Sequence, residues 1–83
     1  MYEIEITNTA HHHLRHLSPV NRQRIHRAIE QLAQIPRPQG VKKLHGEIDF
    51  YRIRIGDYRI LYEIDDTTKI ICITRISPRE NAY

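Results

Sequence analysis

The chain has 83 residues, 40% hydrophobic and 28% charged, with a formal net charge of +3. That length supports one small core over residues 1–83, and the composition is that of a folded globular chain, not a disordered one. A lone cysteine, Cys72, excludes an internal disulfide framework, no apolar run reaches the roughly 18 residues of a membrane span, and the acidic start MYEIEITNTA is unlike a signal peptide, so a reducing cytoplasm and no membrane are expected.

In chain order, residues 2–6 alternate Tyr2, Ile4 and Ile6 with Glu3 and Glu5, the pattern of a half-buried strand. Thr7-Asn8-Thr9 supplies N-cap residues for a short helix with Ala10, Leu14 and Leu17 on one stripe. Ser18 caps a second helix with Pro19 in its first turn, running to about Gln34 and burying Ile25, Ala28, Ile29 and Leu32. Its other face carries Asn21, Arg22, Arg24, Arg27, Gln31 and Gln34, the ordinary make-up of a solvated surface. The prolines of IPRPQG, residues 35–40, force extended backbone and a loop. VKKLHG, residues 41–46, then brings Lys42, Lys43 and His45 to the entrance of a hairpin.

Residues 50–64, FYRIRIGDYRILYEI, read as two strands joined by the turn Gly56-Asp57, with glycine supplying the positive φ of the first turn position. Counting out from the turn sets Tyr51 opposite Tyr62 and Ile53 opposite Ile60 on one face, and Arg54 opposite Arg59 with Arg52 close by on the other. Asp65 to Thr68 form a turn cluster, and residues 69–75 a last strand, ended by Ser77-Pro78. The count across that turn pairs Tyr62 with Ile71, Ile60 with Ile73, Leu61 with Cys72 and Arg59 with Thr74, and makes Cys72 a buried, inert thiol. The expected fold is therefore α+β: an N-terminal strand, two helices, then a three-stranded antiparallel meander with both helices packed on one face of the sheet.

Few residues remain for chemistry. His12 and His16 lie one turn apart but bring no Asp, Glu or Cys with them, so solvated histidines are expected and no metal or other cofactor. His45 has no identifiable partner for acid-base work, and Asp65-Asp66 are turn formers. The arginine face is different. Guanidinium groups set against each other repel, by a few tenths to about 1 kcal/mol, unless an anion sits between them, and arginine binds phosphate in a bidentate way at any physiological pH.

From Val41 onward, KKLHG, YRIRIGDYRILYEI and ISPRENAY resemble the RelE-type toxins of the RelE/ParE superfamily of bacterial toxin–antitoxin pairs, and the strand and helices before them fit the same plan. The resemblance implies a ribosome-dependent mRNA endonuclease that inhibits translation by attack of a ribose 2′-hydroxyl on the adjacent phosphate in the ribosomal A site. It also implies a RelB-like antitoxin, through which the complex would bind operator DNA. By position Arg59 and Arg79 match the family's phosphate-stabilising arginines and Tyr83 its stacking or hydroxyl-orienting tyrosine; Arg52 and Arg54 join them in the expected catalytic set, and Lys42, Lys43, Arg52 and Arg54 are placed to hold RNA. Arg52 and Arg54 stand where well-studied RelE toxins carry lysines, and arginine is a poor general base, which leaves the base unassigned. The alternative within the superfamily is a ParE-like, non-catalytic protein that poisons DNA gyrase; Arg79 and Tyr83 after the last strand favour the nuclease.

Overall fold

Both helices begin at the caps expected of them. In the computed structural model, which describes residues 1–44 and 50–78, the Thr7 side chain accepts from the Ala10 amide to start α1 (Asn8–Arg15), and Ser18 accepts from Asn21 to start α2 (Pro19–Gln34). The bend between them is fixed by Arg22, whose guanidinium donates to the carbonyls of Leu14, Arg15 and Leu17 at 3.0–3.3 Å. Leu14 and Arg15 end α1 and Leu17 follows it, and the Leu14 carbonyl also accepts from the Leu17 amide at 3.2 Å, so one cation gathers the carbonyls at the helix C-terminus and ties them to the next helix.

The strands are β1 (Glu3–Ile6), β2 (Lys42–Lys43), β3 (Phe50–Ile55), β4 (Tyr58–Asp65) and β5 (Ile70–Pro78). They form one five-stranded sheet in the order β1-β5-β4-β3-β2. The α+β plan stands, and the meander β3-β4-β5 is its centre. The sheet as a whole is mixed, because β1 joins β5 in parallel and the two-residue β2 lies antiparallel to β3. A parallel pair needs a long crossover, and everything between β1 and β5 supplies it.

The helices cover one sheet face. Ile25, Leu32, Ile60, Tyr62, Ile71 and Ile73 are the largest fully buried side chains, and burying each aliphatic one is worth about 1.5–3 kcal/mol. Tyr62 is able to lie inside because its hydroxyl donates to the Pro36 carbonyl at 2.8 Å. The next residue of the proline loop, Arg37, holds it as well, donating to Tyr51 Oη at 2.9 Å and pairing with Asp66 at 2.9 Å.

The β3–β4 register is the one counted from the sequence: Tyr51 faces Tyr62, Ile53 faces Ile60 and Arg54 faces Arg59. The β4–β5 register is not. Tyr62 pairs with Ile73 and Ile64 with Ile71, because the ladder runs on to Asp65–Ile70 before the chain turns. The turn has the length expected but lies one residue later, at residues 66–69 in place of 65–68. Asp65 accepts from the Thr67 and Thr68 amides, and Lys69 takes φ 60° to bring the chain back. A second departure lies further along the ladder: Leu61 pairs with Arg75, Ile60 with Ile76 and Arg59 with Ser77, so Thr74 is an extra residue, a β-bulge. The expected pairs Leu61–Cys72 and Arg59–Thr74 are thereby corrected. Cys72 is also only half-buried, on the face away from the helices.

Candidate nucleic-acid interface

Residues directly opposite each other on neighbouring strands share a face, so the registers lay out the open side of the sheet row by row. One row is Lys42, Arg52, Leu61, Arg75; the next, toward the hairpin tip, is Arg54, Arg59, Ser77. The row on the other side is Phe50, Glu63, Cys72, Glu5. Successive rows stand roughly 7 Å apart, two residues of strand. The open face is therefore cationic at its hairpin end and anionic at the far end, so that the cations are grouped locally and not interleaved with carboxylates. Cys72 sits in the anionic row, where burial first, and then the charges of Glu63 and Glu5, push its thiol above the ordinary range. It is a weak nucleophile there.

Among the basic residues of this face Arg59 is the most buried, 7% exposed; Arg52 is half-buried and Arg54 exposed. A cleft of about 600 Å³ is lined by Lys42, Arg52, Arg54 and Arg59 together with Gln39 and Gly40 of the proline loop. The network that ties Arg37 to Tyr51 and Asp66 fixes that loop beside the cleft. Arg24 of α2 reaches the hairpin tip, its guanidinium lying against Gly56.

Four of the sequence-derived residues, Lys42, Arg52, Arg54 and Arg59, thus come together. Lys43 does not join them: it pairs with Tyr51, and so belongs to the opposite face. Arg79, Tyr83 and His45 lie outside the described residues. Arg75 and Ser77 were missed by the sequence count, and the bulge is the reason. The signal was present in Ile76, whose position breaks the alternation begun by Ile71 and Ile73. His12 and His16 are in edge-to-face contact with ring centroids 4.4 Å apart, and His13 turns inward, its Nδ1 accepting from the Ile76 amide at 3.1 Å. Among the described residues no group of three or more His, Cys, Asp or Glu converges as a metal site would require, and no helix is long and apolar enough to cross a membrane.

A strand, a helical pair and a mixed sheet whose uncovered face is cationic at its hairpin end define an α+β protein. The chain belongs to the RelE/ParE superfamily: the model of the ParE toxin of type II toxin–antitoxin systems, parDE, matches residues 4–83. It is 35% identical to a candidate toxin, RelE1, of Methanocaldococcus jannaschii over 99% of this chain and 94% of that one. The toxin–antitoxin complex RelE-RelB of Pyrococcus horikoshii contains a chain of the same fold, with a TM-score of 0.87, 31% identity and 98% of each chain covered. A chain of the RelBE2 complex of Mycobacterium tuberculosis gives a TM-score of 0.82 at 30% identity, over 94% of this chain and 98% of that one. The protein is the toxin of a RelBE-type toxin–antitoxin system.

Proposed function

We propose that this toxin is an endoribonuclease that cuts mRNA in the ribosomal A site and is neutralised by a RelB-like antitoxin. The observation that carries the reading is the pair Arg54 and Arg59, opposed across two strands at the mouth of a cleft that also takes in Lys42 and Arg52. In the reaction the ribose 2′-oxygen attacks the adjacent phosphorus and the bond to the 5′-oxygen breaks. The 2′-proton goes to a base, the leaving 5′-oxygen takes a proton, and the products are a 2′,3′-cyclic phosphate and a 5′-hydroxyl. Fixed cations stabilise charge on the phosphate oxygens as it grows, and the half-buried and buried guanidiniums of Arg52 and Arg59 are suited to that role. By the family resemblance Arg79 adds a further cation and Tyr83 stacks on a base or orients the hydroxyl.

Neither Arg52 nor Arg54 can serve as the base, since guanidinium does not give up its proton. Glu63, on the same face, is two rows from Arg59, roughly 13 Å along the strand, too far to serve the same phosphate. Positioning by the ribosome then supplies much of the rate, and free RNA is a poor substrate. No cofactor is needed, the site of action is the cytoplasm, and the antitoxin complex binds operator DNA through its antitoxin. A second reading, a non-catalytic gyrase poison, is favoured by the description of the matching family as ParE.

The test is induction in growing bacteria with mapping of mRNA ends on stalled ribosomes. Cuts inside occupied A-site codons support the nuclease, whereas intact mRNA with broken chromosomal DNA supports the gyrase poison. Arg59→Lys keeps the charge and loses the bidentate fork, and a fall in cleavage of at least about tenfold is expected while the protein stays folded. A folded Arg59→Ala variant that arrests growth as fast as the parent rules Arg59 out of the site.

A further inference from the structure

The distal half of β5 has an unusual outer edge. β1 pairs with β5 only from Ile70 to Ile73, so residues 74–78 run on past its end. On that edge the neighbour is no longer a strand but α1, from its N-cap Thr7 to His13 in its last turn. Thr7 donates its amide to the Ile73 carbonyl at 3.0 Å and its hydroxyl to the Thr74 carbonyl at 3.2 Å. The Ile76 amide, belonging to a residue 3% exposed, donates to Nδ1 of His13 at 3.1 Å. An imidazole thus does the work of a strand carbonyl, one residue from Arg75 and Ser77, which stand beside Leu61 and Arg59 on the open face.

We infer that His13 is a positioning residue of the basic face: its unprotonated Nδ1 holds the Ile76 amide, and so keeps the distal half of β5 in place beside Arg59. The inference rests on the reading of that face as the RNA-contacting surface. Only the neutral ring with its proton on Nε2 can make this bond. A second proton would put an N–H on Nδ1 pointing at the amide N–H, and two donors would face each other. Its surroundings oppose that proton. Partial burial is the largest influence, followed by Arg75 on β5 and then by His12 on α1 and His16 at its C-cap, and together they lower the pKa of His13.

Linkage fixes the sign. A histidine lowered in the folded state favours the fold above its unfolded value, about 6.5, and that contribution is lost as pH falls through the lower folded value. Loosening of the β5 edge, and with it weaker RNA binding, is therefore an acid-side event.

The experiment uses the full chain, a fluorescein-labelled uridine-rich single-stranded RNA and two readouts between about pH 5 and pH 8, the span in which histidine titrates. The readouts are RNA affinity by anisotropy and the protection factor of the Ile76 amide by NMR. In the parent, protection of Ile76 falls by about tenfold toward the acid end, as loss of one hydrogen bond predicts, and affinity falls with the same midpoint. His13→Asn, whose amide oxygen can accept the same bond at any pH, keeps affinity and protection near the neutral parent values and flattens both profiles. His13→Leu weakens both at every pH. The double variant His12→Gln/His16→Gln retains the transition and moves its midpoint up. Parent and His13→Asn profiles that superimpose overturn the inference. If the parent binds no RNA at any pH while the Ile76 profile behaves as stated, the latch stands and the nucleic-acid reading of the face fails.

Discussion

Arg54 and Arg59 are held opposite each other by a turn that leaves little freedom. Gly56 has φ 58°, in the left-handed region that an L-residue enters at a cost, and only the first turn position needs it. A Cβ there would also stand 2.6 Å from Nη2 of Arg24, so the α2 cation would have to move off the hairpin tip. Gly56→Ala is therefore expected to lower stability by about 1–2 kcal/mol, with the urea midpoint falling at constant slope. It should weaken anion binding as well, because the turn sets the arginine register; an unchanged midpoint would mean that the hairpin tip carries no strain worth counting. The same residue scale explains Tyr62. Burial pushes its hydroxyl up to about 12, so the neutral form that donates to Pro36 persists under alkaline conditions that ionise an exposed tyrosine.

At the scale of elements, what could be read in advance was whatever local chemistry decides. Thr7 and Ser18 start helices because their hydroxyls accept from amides three residues on, and Gly56-Asp57 fixes a register because a two-residue turn allows only one. The β4–β5 connection is different. Its position depends on how far the ladder runs before Asp65 and Lys69 reverse the chain, and the bulge at Thr74 depends on both faces of β5 at once. Regular alternation from Ile73 would turn Arg75 into the core and Ile76 out of it. The extra residue instead leaves Ile76 3% exposed inside and returns Arg75 and Ser77 to the open face. The candidate site was legible to the same extent: Arg52, Arg54 and Arg59 follow from the hairpin count, while Arg75 was hidden by the bulge. Two single-residue deletions test this. Removing Thr74 leaves Arg75, Ile76 and Ser77 on their present faces and costs about 1–2 kcal/mol, the worth of the bonds to Thr7 and Leu61. Removing Cys72 turns the fully buried Ile73 outward and Thr74 inward, at a further cost of at least about 2 kcal/mol. Urea denaturation ranks the two, and equal stability would refute the bulge.

On the scale of the whole molecule, a net charge of +3 is too small to bring the protein to RNA by bulk attraction. What separates this chain from any mildly basic protein is that the open face collects Lys42, Arg52, Arg54, Arg59 and Arg75 while Lys43 stands on the other side. Each cation that meets a phosphate of single-stranded RNA contributes about 0.7 to the slope of log affinity against log salt. Arg75→Gln should therefore reduce that slope by about 0.7, and Lys43→Gln should leave it where it was. Both changes remove one positive charge, so bulk attraction predicts that they act alike. The comparison thus isolates placement from charge, and equal slopes for the two variants would show that RNA does not select the face on which the bulge returns Arg75.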